Sequence, residues 1–177
     1  MEWQSFLNRC CSLDLETNEN GEIFAVAAQF GNQTFRRKAP FSIHQVLREL
    51  DAFAAGAEFL LGHNLLGHDL PVCRSILPKL ACLQKPVVDT LILSPLAFPE
   101  NPYHRLVKNY KLVRDGLNDP LLDAKLAVSL FQDQLVALKE QQQDSNILSF
   151  YHYAFSGDLQ YAGLQHSLSE LGARPIN

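Results

Sequence analysis

The chain has 177 residues, 47% apolar and 19% charged, with 15 basic against 19 acidic side chains and a net charge of -4. At about 150 residues per domain this is one compact domain, with or without a small appendage, and the apolar content excludes a disordered, collagenous or coiled-coil chain. The negative balance means that a nucleic-acid partner is held by a local basic patch and not by global attraction.

The opening, MEWQSFLNRC, carries an acid at position 2 and no sustained apolar run. No stretch approaches the roughly 18 apolar residues of a membrane span, so a soluble, cytoplasmic protein with no membrane partner is expected. Cys10, Cys11, Cys73 and Cys82 contain no Cys-x-x-Cys pair and read as buried free thiols.

In chain order, residues 10–15 (CCSLDL) and 22–30 (EIFAVAAQF) predict two strands joined across the turn-rich TNENG. Residues 33–37 follow the Gly31-Asn32 dipeptide and complete a three-stranded antiparallel meander. From Ser42 to about Ala55, Ile43, Val46, Leu47, Leu50 and Phe53 recur at helical spacing, with Ser42 placed to cap the helix. Phe59, Leu60 and Leu61 predict a short buried strand ending at Gly62, His63 to Asp69 is polar, and Leu70 to Leu80 predicts a helix. Val87 to Leu96 is strongly apolar with Asp89 near its start. Tyr103 to Tyr110 and Pro120 to about Gln142 predict helices, the second with proline in its first turn. Beyond Gln143 an aromatic-rich segment and a short helix lead to the ending ARPIN. The order, an antiparallel meander followed by alternating helices and strands, predicts an α/β fold with a mixed sheet covered by helices.

Asp14 and Glu16 are separated by one strand residue, so their side chains share a face about 6.6 Å apart along the backbone. Two carboxylates leaving an apolar strand are costly to desolvate unless a cation sits between them, which points to a divalent metal; a solvated turn is the bland alternative. Asp69 lies between an apolar strand and an apolar helix, and Asp123 stands among apolar residues early in the long helix, four residues after Asp119. Arg105, Lys108, Lys111 and Arg114 recur every third residue, interleaved with Tyr103 and Tyr110, the pattern of a phosphate-tracking stripe with stacking side chains or of a solvated face. Arg36, Arg37 and Lys38 read as a strand-end charge run.

SLDLET, GHNLLGHDLPV, VVDTLILSPL and NDPLLDAKLA, in this order over roughly residues 10–135, resemble the successive sequence blocks of the DEDD superfamily of 3′-5′ exonucleases, with the closer likeness to its His branch (DEDDh). The resemblance implies an RNase H-like fold, a mixed five-stranded sheet whose first three strands are antiparallel. It implies that Asp14, Glu16, Asp69 and Asp123 bind two Mg2+ or Mn2+ ions that straddle a scissile phosphate, and that the ligand is a single-stranded DNA or RNA 3′ end. It also implies substrate contacts at Asn64 and at Thr17, just after Glu16; Arg105, Lys108 and Lys111 are substrate candidates from the spacing of the basic stripe alone. Such a module belongs to DNA processing or repair and is commonly fused to or associated with a helicase or polymerase. Residues 1–143 would form the exonuclease-like domain and 144–177 an extension that packs on it or leads to a further module; the ending ARPIN suggests one domain of a longer protein.

The pattern departs at one place. The His branch carries its general base five residues before the last acid, and that position is Asn118, whose amide takes no proton near neutral pH. His104, Asp119 or solvent acting on a metal-bound hydroxide are the alternatives for that role. His63 and His68, flanking the middle block, read as local structural contacts. The alternative function is an impaired exonuclease-fold module that binds nucleic acid or a protein partner.

Overall fold

A computed structural model describes residues 3–104, 119–141 and 145–176. Its centre is one five-stranded sheet made of β1 (Cys10–Thr17), β2 (Ile23–Phe30), β3 (Gln33–Lys38), β4 (Phe59–Gly62) and β5 (Val87–Asp89), in the order β3-β2-β1-β4-β5. β1, β2 and β3 pair antiparallel, while β4 joins β1 and β5 joins β4 in parallel. This is the expected α/β fold with a mixed sheet.

The meander closes through side chains that the sequence supplies locally. Asn18 Oδ1 accepts from the Asn20 and Glu22 amides in the first turn, and Gly31 takes φ +56° in the second, where glycine is favoured. β1 runs two residues beyond its predicted end, to Thr17, with a register irregularity between Glu16 and Thr17. Asp14 and Glu16 are therefore strand residues, not turn residues.

Helices cover both faces. α2 (Ile43–Phe53) and α3 (Leu70–Ile76) accompany the core around Cys11, Leu13, Leu15, Val26, Ala28 and Leu60. Ser42 precedes α2 but makes no side-chain cap bond; its carbonyl receives the Val46 amide instead. α3 stops at Ile76, short of the predicted Leu80, because the residue before Pro78 is pushed out of helical geometry. The second core holds Phe6, Cys10, Phe59, Leu61, Val88, Phe131, Leu135 and Leu138. It lies under α1 (Gln4–Leu7), which sequence patterning missed, α4 (Thr90–Ala97), α5 (Pro120–Gln141), α6 (Ser145–Ala154) and α7 (Ala162–Glu170). Leu148, Leu164, Leu168 and Leu171 belong to the same core, so the C-terminal helices pack on the sheet. A Cβ at Gly163 would stand 2.3 Å from the Val87 carbonyl oxygen, so α7 touches the backbone of edge strand β5 and covers it.

The apolar run from Val87 divides at Asp89 into β5 and α4, since the Asp89 carboxylate accepts from the Leu91 amide and starts the helix. α5 begins at Pro120, as proline in the first turn predicts. Tyr103 and His104 lie outside any helix, and the rest of the helix expected over 103–110 falls outside the described residues. No helix among the described residues is long and apolar enough to cross a membrane.

Candidate metal centre

Alternate residues of β1 serve opposite faces. Cys11, Leu13 and Leu15 enter the α2 and α3 core, so Ser12, Asp14 and Glu16 face α5. Across the sheet Asp14 pairs with Ala27 and Glu16 with Ala25, two small buried side chains. α5 brings small residues as well, Ala124 and Ala127, both buried. The helix can thus lie close to the sheet, with Asp123 in its first turn directed at the strand acids.

One carboxylate oxygen from each of Asp14, Glu16 and Asp123 lies within 4.8 Å of the others, and all three residues are half-buried. Three like charges at this spacing repel one another strongly in partly desolvated surroundings, and a divalent cation relieves that repulsion. The donor set is all oxygen, which suits a hard cation such as magnesium, manganese or calcium. The residues therefore fit a metal ion.

Asp69, the fourth sequence candidate, is not one of that group. It is 2% exposed, ends a π-helical turn over Leu65–Asp69, and its Oδ1 accepts from the Leu15 amide at 3.0 Å, between the two strand acids. Burial pushes its carboxyl up to about 8; the Leu15 and its own amide pull it back, while Asp89 and Glu16 nearby push it further up. A cation at the neighbouring acids would favour its ionised form.

Asn64 sits at the start of this π-helical turn with φ +67°, the one non-glycine residue in left-handed geometry among those described. Asp89, 1% exposed, accounts for the conformation. Its Oδ1 accepts from the Asn64 amide at 2.9 Å and its Oδ2 from the Leu66 amide at 2.9 Å, in addition to capping α4. The Asn64 side chain folds towards Gly67, where a Cβ would meet Asn64 Oδ1 at 2.4 Å. Asp89 was not a candidate from sequence; the run VVDTLIL did carry the signal, an acid at the junction of an apolar strand and an apolar helix.

Thr17 Oγ1 and His68 Nε2 are 3.5 Å apart, joining the end of β1 to the π-helical turn. Asp119 precedes α5 and caps it, its Oδ1 accepting from the Leu121 amide at 3.1 Å and pairing with Arg36 at 3.2 Å. That oxygen is already engaged by two donors. His104 is half-buried, is not among the clustered ligands, and has no hydrogen-bond partner at Nδ1 among the described residues. Arg105, Lys108, Lys111, Arg114 and Asn118 lie outside the described residues.

α5 is tied to α4 by Gln134, which is 0% exposed; its Nε2 donates to Thr90 O at 2.8 Å and to Ser94 Oγ at 2.7 Å. Gln141 Nε2 adds a bond to Ala97 O at 3.0 Å. These bonds fix the helix that carries Asp123 relative to the sheet that carries Asp14 and Glu16. No protein-family model matches the chain, and no curated protein matches it.

Proposed function

We propose that the protein is a metal-dependent 3′-5′ exonuclease that hydrolyses phosphodiester bonds at the 3′ end of single-stranded DNA or RNA. The observation that carries the reading is the convergence of Asp14 and Glu16 from the central strand with Asp123 from α5, beside buried Asp69. The ordered sequence blocks that resemble the DEDD superfamily give the cluster its chemical meaning.

In this reading Asp14, Glu16 and Asp123 hold Mg2+ or Mn2+, two ions in all, with Asp69 completing the set once ionised. A bound ion supplies an activated water and neutralises charge on the phosphodiester. The protein's share is to hold the carboxylates in place, through the alanine contact surface under α5 and the Gln134 bonds to α4. The left-handed Asn64 turn and Thr17 beside it would meet the terminal nucleotide, and Arg105, Lys108 and Lys111 the phosphates that follow.

A second reading rests on Asn118. With an amide where a general base is expected, the module binds nucleic acid or a partner and cleaves slowly, by about 10²- to 10⁴-fold. One experiment separates the two: 5′-labelled single-stranded DNA and RNA incubated with Mg2+ or Mn2+, with Asp14→Ala alongside. A ladder that shortens from the 3′ end and is lost in the variant supports the exonuclease and selects its substrate. Metal-dependent binding without cleavage, with cleavage gained in Asn118→His, supports the impaired module.

A further inference from the structure

The sequence reads Arg36, Arg37 and Lys38 as one charge run, and the fold divides that run between the two faces of β3. Phe35 and Arg37 share the α2 face. The Phe35 ring lies 5.7 Å from that of Phe53, and the Arg37 guanidinium sits 4.6 Å over the Phe35 ring and 2.7 Å from Glu49. Side chains alternate along a strand, so Thr34, Arg36 and Lys38 belong to the other face, towards α5. The ion pair of Arg36 with Asp119, at the start of α5, agrees with that alternation. The Ala39 amide bonds to the Phe24 carbonyl at 2.8 Å, so pairing with β2 continues past Lys38 and keeps it in the strand's pleat.

The sheet register connects this face to the strand acids of the metal centre. Lys38 pairs with Ala25, which pairs with Glu16; Arg36 pairs with Ala27, which pairs with Asp14. Each base therefore stands two strand spacings, roughly 10 Å, from an acid of the centre, in the same row and on the same face. A second connection runs through α5, since Asp119, held by Arg36, accepts the Asp123 amide at its carbonyl at 3.1 Å.

The three bases differ in what they are already bound to. Arg37 is engaged by Glu49 on the opposite face, and Arg36 by Asp119. Lys38 is exposed and makes no hydrogen bond or ion pair among the described residues. A chain of net charge -4 with three clustered carboxylates repels a polyanion, so a strand that approaches the centre needs a cation not neutralised by a neighbour.

We propose that Lys38 holds a backbone phosphate of the single-stranded ligand, on the β3 side of the Asp14, Glu16 and Asp123 centre. This rests on the nucleic-acid reading above and adds the β3 edge to the binding surface. Lysine meets a phosphate as a point charge, so Lys38 lends affinity without sequence preference.

The test is fluorescence anisotropy with 5′-fluorescein single-stranded DNA and RNA of about 12 nucleotides, with Ca2+ present and strand length checked on a gel after each titration. Circular dichroism first shows each variant folded. At about 50 mM salt, Lys38→Gln is expected to weaken binding about 3- to 10-fold, equally for oligothymidylate and oligocytidylate. It should also make the slope of log affinity against log salt shallower by about 0.7. Lys38→Arg should keep both affinity and slope. Arg37→Gln removes the same charge from the adjacent position on the opposite face and should change affinity by less than about twofold. Equal losses in Lys38→Gln and Arg37→Gln would show a response to net charge alone and overturn the proposal, as would an unchanged Lys38→Gln or a loss confined to one base sequence. Binding that depends on Lys38 in a protein that leaves the strand intact with Mn2+ would remove the exonuclease reading and uphold this one. Cleavage whose KM is unmoved by Lys38→Gln would do the reverse. No binding of either strand by the unsubstituted protein would overturn both.

Discussion

β1 presents two different surfaces at consecutive residues. Cys11, Leu13 and Leu15 point into a core of aliphatic side chains, whereas Ser12, Asp14 and Glu16 point towards α5 and gather a third acid, Asp123. The strand thus spends one face on stability and the other on charge, and the two sets of residues should respond oppositely to substitution. Asp69 and Asp89 repeat the contrast among buried acids. Asp89 accepts from three amides and shapes the chain around Asn64; Asp69 accepts from Leu15 beside Glu16 and keeps its proton to about pH 8.

The largest expected effect separates Asp14 from Leu13. Asp14→Ala should reduce metal-dependent cleavage to background while leaving the urea midpoint in chelator unchanged or higher, since a like-charge contact is removed. Leu13→Ala should cost about 2 to 5 kcal/mol of stability and leave Mn2+ affinity within about twofold when folded protein is compared. If Leu13→Ala abolished metal binding at full stability, the division of the strand into two faces would be wrong.

Next is the pair of buried acids. Asp89→Ala strips the partner from three amides and should cost about 3 to 5 kcal/mol, read by denaturant unfolding. Asp69→Asn should cost little, because its side-chain oxygen still accepts from Leu15. It should also flatten a pH dependence. A carboxyl whose pKa is raised on folding binds its proton more tightly in the folded state, so its stabilising contribution is complete below about pH 4 and is lost as pH rises towards about 8. In chelator the unsubstituted protein should lose stability across that range, and Asp69→Asn should lose less. Mn2+ binding near pH 7 should release close to one proton, measurable by calorimetry in buffers of different ionisation enthalpy, and Asp69→Asn should release fewer.

The smallest effect belongs to Arg36→Gln. Its ion pair with Asp119 is half-exposed, so stability should change by less than about 1 kcal/mol, while the α5 cap through Leu121 persists.

The sequence made the meander and the Asp14/Glu16 face legible because a period of two is a local property, and α5 legible because proline and a long helical pattern mark its start. Asp123 was legible as an unusual acid, but its meeting with Asp14 and Glu16 depends on α5 crossing the sheet over paired alanines, which no local spacing encodes. Asp89 stood in plain view as an acid in an apolar run. Its three amide partners come from residues 2 to 25 positions away and from a left-handed turn, so its part in shaping the site needed the fold. The Thr90 hydroxyl that meets the His63 ring lies 27 residues away for the same reason.

The most direct measurement is a Mn2+ titration followed by electron paramagnetic resonance, comparing the unsubstituted protein with Asp14→Asn and Asp123→Asn at pH 7.5, roughly where the raised carboxyl begins to ionise. Saturable loss of the free-ion signal with the unsubstituted protein, and weak or absent loss with either variant, is the result expected of a metal centre shared by β1 and α5. Equal binding by all three proteins, or binding by none, would contradict it.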